Sequence, residues 1–154
     1  MTTVGSLEDI APLSHAIFRV ARLHKMLAGQ LLRQVGLYPG QELVMMQLWT
    51  EGPQRQVDLV RMLESEAPTM TRTIQRLKKA GLVRTSRSAT DRRSIIVEAT
   101  KKSASLRRAV EEAWAELEAR TAGGLGRTRR KDILAALVAL EAELLDAEGN
   151  EGAT

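Results

Sequence analysis

The sequence predicts a mainly α-helical protein with a small two-stranded β hairpin, an α+β fold. Apolar residues recur at helical spacing in several segments, whereas the run 95–97 is β-branched. Glycine and proline separate these segments. The chain has 154 residues, of which 44% are hydrophobic and 27% charged, which suits one compact domain with its own core.

Four helices are predicted before the hairpin. They cover residues 10–34, 41–49, 56–63 and 68–80, and only a tight turn separates the last two. Gly81 ends the fourth helix, as a glycine just beyond a helix commonly does. The side chains expected inside are Leu43, Met46, Leu48 and Trp49 in the second helix, Val57, Val60 and Leu63 in the third, and Met70, Ile74 and Leu77 in the fourth.

Two strands and two long helices are predicted in the second half. The strands cover 82–86 and 93–99, with Val83, Ile95 and Val97 inward. Thr100 caps a helix that runs to about residue 121, where a glycine-rich segment ends it. The last helix covers 128–147, and its apolar stripe needs a partner surface. This order of elements predicts a winged helix-turn-helix between helical arms.

Positive charge is concentrated in the centre of the chain. Residues 68–108 hold twelve Lys and Arg against two acidic residues, a net +10, so the whole-chain value of +4 leaves −6 for the rest. A basic centre between acidic flanks is typical of proteins that bind polyanions. The alternative is a basic face that contacts only solvent.

The predicted helix 68–80 carries the most informative basic surface. Opposite its apolar side lie Arg72, Gln75, Arg76 and Lys79. Arg and Gln can read guanine and adenine in the major groove, whereas Lys79 suits a phosphate. Such a face is a weak signal alone. Preceded by helix 56–63 at helix-turn-helix spacing and followed by a basic hairpin, it indicates double-stranded DNA binding.

These segments resemble the multiple antibiotic resistance regulator (MarR) family of bacterial transcription factors. The resemblance spans most of the chain and is carried by "GLYPGQELVMMQLW", "QVDLVRML" and "TMTRTIQRLKKAGLVRTSRSATDRRSIIVEAT". Its most specific part is "RLKKAGLV", followed by "DRR" and a strand that leads to Thr100.

The resemblance implies three groups of DNA-contacting residues. The major-groove residues are Thr69, Thr71, Arg72, Gln75 and Arg76. The wing residues are Arg87, Asp91, Arg92 and Arg93, where Asp91 orients Arg93 into the minor groove by a charge-assisted hydrogen bond and Arg92 lies nearer the phosphates. The phosphate-contacting positions are Pro68, Lys79 and Lys101, although Pro68 lacks the hydroxyl that the family often has there.

The resemblance also implies a homodimer. One winged helix reads about half of a typical operator, and two-fold pairing sets the recognition helices about 34 Å apart on a pseudo-palindrome. The expected division is residues 1–36 and 101–148 for helical dimerisation, 37–100 for the DNA-binding lobe, and 149–154 as a disordered tail. The expected function is regulation of transcription, as a repressor.

The basic cluster Arg127, Arg129, Arg130 and Lys131 has no explanation in the sequence, since basic side chains are unfavourable at the start of a helix.

Family resemblance further implies a small-molecule effector, and Arg19, His24 and Trp49 are candidate pocket residues, although a tryptophan at helical spacing is more often core. His15 and His24 are nine residues apart, too far for a helical metal pair, and no metal or cofactor is expected. His24 is a candidate pH sensor in the dimer interface.

No cysteine, phosphate-binding loop or catalytic constellation occurs in the sequence, so an enzyme is not expected. No leader or membrane segment is apparent, which predicts a cytoplasmic protein. The alternative function is a helical interaction protein whose basic face binds RNA or an acidic protein.

Overall fold

The computed structural model describes residues 5–151 and confirms the predicted fold class, with most residues in helices and a small antiparallel sheet. Within these residues the elements, in chain order, are α1 (Leu7–Ile10), α2 (Pro12–Gln34), α3 (Gln41–Glu51), β1 (Gln54–Arg55), α4 (Gln56–Met62), α5 (Ala67–Lys79), β2 (Val83–Arg87), β3 (Ile95–Ala99), α6 (Lys101–Ala122) and α7 (Arg127–Glu151).

The sheet has three strands in the order β1-β3-β2, rather than the two that were predicted. Strands β2 and β3 pair antiparallel from Val83 opposite Ala99 to Arg87 opposite Ile95. Strand β1 adds Gln54 opposite Val97 on the other edge of β3. A two-residue strand has no alternating pattern that sequence analysis could detect, because its pairing depends on a distant segment.

The chain divides into two compact units after Leu117, and the core lies in the first. Helix α5 buries all three predicted side chains, and α3 buries Leu48. Of the other residues predicted inside α3 and α4, Leu43 and Val57 are exposed, and the rest are partly buried against the core, namely Met46, Trp49, Val60 and Leu63. The core residues are Leu37, Val44, Met45, Leu48, Leu59, Met70, Ile74, Leu77, Leu82, Val83, Val97 and Val110. Leu59, not Val57, is the fully buried residue of α4, and Leu43 and Ile95 are exposed. In α3 and α4 apolar residues surround the helix axis, so tertiary contacts select the buried face.

Helix caps fix the ends of two helices in this unit. The Ser6 side chain accepts from the Asp9 backbone amide while Asp9 accepts from Ser6, a reciprocal capping box that starts α1. The hydrogen bond from Ser6 lowers the pKa of Asp9. Thr100 caps α6 as predicted, since its Oγ1 accepts from the amide of Ser103 at 3.3 Å.

The second unit contains the end of α6 and all of α7. One member of the basic cluster, Arg130, has a structural role in this unit. Its guanidinium donates to the carbonyl oxygens of Leu125 and Gly123, which follow α6. Helix α7 extends to Glu151, four residues beyond its predicted end at residue 147. Residues 152–154 lie outside the described residues.

Between residues 5 and 151, no helix has the length and apolarity required to cross a bilayer.

Candidate nucleic-acid interface

Helix α5 has one buried side and one exposed polar side. Its N-cap is Glu66, and Pro68 lies in the first turn, where proline is tolerated because that amide needs no helical partner. Met70, Ile74 and Leu77 are at most 3% exposed. All seven predicted contact residues of this helix are exposed, namely Pro68, Thr69, Thr71, Arg72, Gln75, Arg76 and Lys79. The apolar stripe therefore anchors a helix whose hydrogen-bond donors face solvent.

The hydroxyl group of Thr71 forms hydrogen bonds within the helix-turn-helix itself. Its hydroxyl donates to the carbonyl oxygen of Ala67 at 3.0 Å and accepts from Gln56 Nε2 at 3.1 Å. The Thr71 side chain thus fixes the start of α4 against α5, and its methyl group remains for an outside contact. Gln56 was not among the predicted site residues, because a pairing between two helices leaves no local pattern in the sequence.

One lysine of α5 and one of α6 hold the surrounding elements in place. Lys78 Nζ donates to Thr85 Oγ1 in β2 at 3.0 Å, and Lys102 Nζ donates to the carbonyl oxygen of Ala80 at 3.0 Å. Thr100 Oγ1 donates to the carbonyl oxygen of Gly81 at 2.7 Å. Gly81 has a φ of +76°, which favours glycine. These bonds fix the sheet at the C-terminal end of α5.

Part of the central positive charge is neutralised on the sheet. Arg84 donates two hydrogen bonds to the carboxylate of Glu98, at 3.0 and 2.9 Å, across the β2–β3 pair. The bond to Arg84 lowers the pKa of Glu98, and the bond to Glu98 raises the pKa of Arg84. Within the described segment 68–108, the cations without an ion pair lie on α5, in the hairpin and at the first turn of α6.

The hairpin turn between β2 and β3 is the predicted wing, and its own side chains shape it. Arg87 Nη1 donates to the carbonyl oxygen of Arg92 at 2.8 Å. The Asp91 carboxylate accepts from the backbone amide of Arg93 at 3.0 Å and from the hydroxyl of Ser94 at 3.1 Å. The wing side chains Arg87, Asp91, Arg92 and Arg93 are exposed.

The predicted hydrogen bond from the Arg93 guanidinium to Asp91 is not formed in the described residues. Both Asp91 oxygens accept from groups two and three residues further along the chain, which is the usual behaviour of an aspartate in a turn. Asp91 therefore orients the backbone at Arg93 rather than the guanidinium. The Arg93 side chain extends from a fixed backbone position.

Arg55 is a cation near the wing that sequence analysis did not select. It donates to the Asp58 carboxylate at 2.8 and 3.0 Å, and this bond lowers the pKa of Asp58. The pKa of Arg55 is raised, chiefly by Asp58 and also by the charge of Asp91. Arg55 thus links the start of α4 to the electrostatics of the wing.

The start of α6 is bonded to the end of α3. Trp49 Nε1 donates to Ser103 Oγ at 3.1 Å, and Arg107 Nη1 donates to the carbonyl oxygen of Trp49 at 3.1 Å. Lys101, a predicted phosphate contact, is exposed in the first turn of α6. The winged helix and the first turns of α6 are therefore joined by side-chain hydrogen bonds at several points.

The three candidate effector residues are not brought together by a cavity that the structure shows. Arg19 and His24 are exposed on α2 and, at about 100° per residue, lie about 140° apart around it. Trp49 packs at the edge of the core. A cavity of about 10 Å³, enough for one water molecule, has other walls: Ala28, Leu31, Leu32, Ala113, Trp114 and Leu117. The effector pocket stays a prediction.

No metal centre is assembled in the described part of the chain, where no three or more His, Asp or Glu side chains group closely enough to hold an ion. His15 is half-buried, and its Nδ1 has no hydrogen-bond partner among these residues. His24 lies exposed, nine positions further along α2.

Comparison with known proteins identifies this arrangement. The MarR family model matches residues 37–95, which contain α3 to α5, β1, β2 and the first residue of β3. The uncharacterized HTH-type transcriptional regulator YwoH of Bacillus subtilis (strain 168) is 42% identical over 89 residues. That match covers 58% of this chain and 64% of YwoH, so the chain spans less than two thirds of that relative.

Solved structures share the fold along most of the chain. A mutant MarR from E. coli, complexed with operator DNA, has a TM-score of 0.77 at 21% identity, and the match covers 92% of this chain and 99% of that one. Bordetella bronchiseptica BpsR, whose DNA binding is regulated by 6-hydroxynicotinic acid, has a TM-score of 0.77 at 25% identity, with 84% and 92% covered. Residues 37–95 of this chain therefore form a MarR family domain.

Proposed function

We propose that this protein is a sequence-specific regulator of transcription that binds double-stranded DNA. It binds a pseudo-palindromic operator as a homodimer and acts as a repressor, because a dimer that occupies both grooves excludes other proteins from the same DNA. Helix α5 reads the major groove, and the wing enters the adjacent minor groove.

The observation that carries this proposal is the two-sided character of α5. Met70, Ile74 and Leu77 anchor it in the core, while Arg72, Gln75 and Arg76 remain exposed on one helix. Arginine and glutamine are the side chains best suited to bidentate contacts with guanine and adenine. A helix about 10–12 Å wide fits the major groove of B-form DNA. The operator complex of the E. coli MarR mutant supports this assignment.

The wing supplies the second part of the interface. Arg92 and Arg93 are adjacent in an exposed turn whose backbone is held by Asp91 and Arg87. We assign Arg93 to the minor groove and Arg92 to the phosphates. A narrow A·T-rich groove has an enhanced negative potential and attracts an inserted arginine. Lys79 and Lys101 are assigned to phosphates, and Pro68 packs beside the DNA backbone without donating a hydrogen bond.

Apolar side chains exposed outside the winged helix support the proposed dimer. In α2, Leu13, Phe18 and Val20 are each more than half exposed, and so are Leu137 and Leu144 in α7. Leu13 and Val20 share one side of α2, and Leu137 and Leu144 share one side of α7, since seven residues are close to two helical turns. Exposed apolar side chains arranged in this way are typical of surfaces that meet a partner. We propose residues 1–36 and 101–148 as the dimerisation region and 37–100 as the DNA-binding lobe.

Release by a small molecule is the remaining part of the proposal. The regulation of BpsR by 6-hydroxynicotinic acid supports this kind of control in a protein that is 25% identical. Since the exposed residues Arg19 and His24 do not line a cavity with Trp49 in the protomer, such a pocket requires the second copy or a rearrangement of the first.

Selection of bound duplexes from a random pool tests the proposed function. We expect a pseudo-palindrome with half-sites about 10 base pairs apart, and steep weakening of binding between two salt concentrations. If no duplex sequence is enriched, the protein is not a sequence-specific regulator. Preference for RNA or an acidic protein would then favour a helical interaction protein with a basic face.

A further inference from the structure

Helix α7 carries its charges in the reverse of the usual order. Basic residues occupy its first turns, and Glu141, Glu143, Asp146 and Glu148 occupy its last. The positive end of the helix dipole lies at the N-terminus, so both groups oppose it. Arg130 is explained by its bonds to the preceding turn, whereas the remaining charges are not.

Four of these charged residues share a row with three apolar side chains. The row advances by alternating steps of four and three residues, which keeps it on one side of a helix. Its members, in order, are Arg127, Lys131, Leu134, Val138, Glu141, Leu145 and Glu148. We call this row the charged seam. It is basic at one end, apolar at its middle and acidic at the other end.

The charged seam has no cover within the described chain. Leu134, Val138 and Leu145 are 63%, 57% and 51% exposed. The charged side chains of the seam are also exposed, and no ion pair within 4.0 Å joins any of them to another described residue. Arg127 and Lys131, at i and i+4, instead repel each other. A feature that costs local stability without an internal partner is typical of a surface that meets another molecule.

We propose that the charged seam pairs with the same seam of a second copy, antiparallel, about a two-fold axis near Val138. This rests on the homodimer of the proposed function and adds which face of α7 meets its counterpart, and in which direction. In an antiparallel pair, Arg127 and Lys131 of one copy lie at the level of the acidic end of the other, and Leu134 and Val138 of the two copies meet near the axis. A parallel pair places like charges together at both ends, which is unfavourable.

Charge exchange in the full-length protein tests this pairing. The basic-end variant is Arg127→Glu/Lys131→Glu, and the acidic-end variant is Glu141→Lys/Glu148→Lys. Each produces like-charge contacts in an antiparallel homodimer and should raise its dissociation constant about tenfold or more, measured by analytical ultracentrifugation. The control variants Arg129→Glu and Glu143→Lys, made separately, reverse charges at the same two ends but lie more than about 140° around the helix.

The variant with all four substitutions gives the decisive result. It restores opposite charges in an antiparallel homodimer, so its dissociation constant should return to within about threefold of the wild-type value. Its charges also agree with the helix dipole, which favours folding. When it is mixed with wild-type protein, mixed dimers should be excluded, because basic ends then face basic ends. Subunit exchange is followed by fluorescence energy transfer between labelled copies.

Several results would overturn the pairing. These are free mixing of the four-substitution variant with wild type, an equal effect of the control variants, or a wild-type protein that stays monomeric. If the basic-end variant loses affinity for DNA while its dimer dissociation constant is unchanged, the basic end of the charged seam contacts DNA instead of a second copy. Duplex selection is a separate measurement. If it enriches an operator while the charge-exchange variants do not behave as expected, the proposed function stands and only the charged-seam pairing is rejected.

Discussion

The guanidinium of Arg87 donates a 2.8 Å hydrogen bond to the carbonyl oxygen of Arg92, across the hairpin turn. This bond joins the end of β2 to the tip of the wing. One arginine of the wing, Arg87, thus holds the backbone from which Arg92 and Arg93 extend. The positive charge of the wing is divided between a residue that shapes the turn and residues available to a partner.

Arg87→Ala should therefore loosen the wing. We expect the preference for the selected operator over random DNA to fall, while the slope of log affinity against log salt changes little. Arg92→Ala is the comparison, since the homodimer loses one phosphate contact in each protomer and the slope should fall by about 1.8. Fluorescence anisotropy at several salt concentrations measures both. A slope reduction of the same size for Arg87→Ala would make Arg87 a direct phosphate contact.

Arg93→Ala should weaken binding in a way that depends on the minor groove. Since an arginine in a narrow groove reads shape and potential, the loss should be largest on operators with A·T-rich sequence at the wing positions. Titration of two operators that differ only at those positions measures the difference. Unchanged affinity on the A·T-rich operator would remove Arg93 from the interface.

Gln75→Ala should relax sequence preference at one base step. Gln75 is exposed on the side of α5 opposite the buried stripe, where an amide can pair with adenine. The expected loss is about 1 to 3 kcal/mol at that step, with little loss on random DNA. Lys79→Ala is the control and should weaken binding to all sequences alike. Equal loss on random DNA for Gln75→Ala would make Gln75 a backbone contact.

Ser103→Ala should destabilise the fold. Ser103 is fully buried, accepts from Trp49 Nε1 at 3.1 Å and donates to the carbonyl oxygen of Thr100 at 2.7 Å. Its removal leaves the indole N–H unpaired, which costs about 1 to 3 kcal/mol. The exposed Ser105 makes the same kind of bond to Lys102, and Ser105→Ala should stay within about 0.5 kcal/mol of wild type. Urea unfolding measures the free energy of unfolding of both variants. Equal losses for Ser103→Ala and Ser105→Ala would contradict a structural role of the Trp49–Ser103 hydrogen bond.

Glu42 should make stability depend on pH. Its side chain is 5% exposed, Oε2 has no partner among the described residues, and burial raises the pKa above its ordinary 4.5. The folded protein then binds more protons than the unfolded one between the two pKa values, so stability falls as pH rises through that window. Glu42→Gln should remove this contribution in urea unfolding between about pH 4 and 7. An identical pH profile in both proteins would contradict this prediction.

Local patterns predicted the parts of the fold that depend on one segment. Met70, Ile74 and Leu77 form a single narrow stripe, so the buried side of α5 and its exposed opposite side follow directly from the sequence. Gly81 and Thr100 mark the end of one helix and the start of another through their own conformational and hydrogen-bonding preferences.

Features that depend on two distant segments were not predictable in the same way. Strand β1 exists because Gln54 and Arg55 lie beside β3. The burial of Leu59, rather than Val57, is decided by the elements that pack on α4. The partners of Asp91 are backbone and hydroxyl groups of its own turn, whereas the family resemblance implied the Arg93 guanidinium. Each of these outcomes is set by tertiary contacts or turn geometry.

The most direct test of the central claim is the affinity of the wild-type protein for its selected duplex and for a scrambled duplex of identical composition and length. We expect the selected duplex to bind at least about 10³-fold more tightly at physiological salt, with two winged helices on one operator. Equal affinities for the two duplexes would mean that α5 and the wing bind phosphates without reading sequence, and would contradict the proposed function.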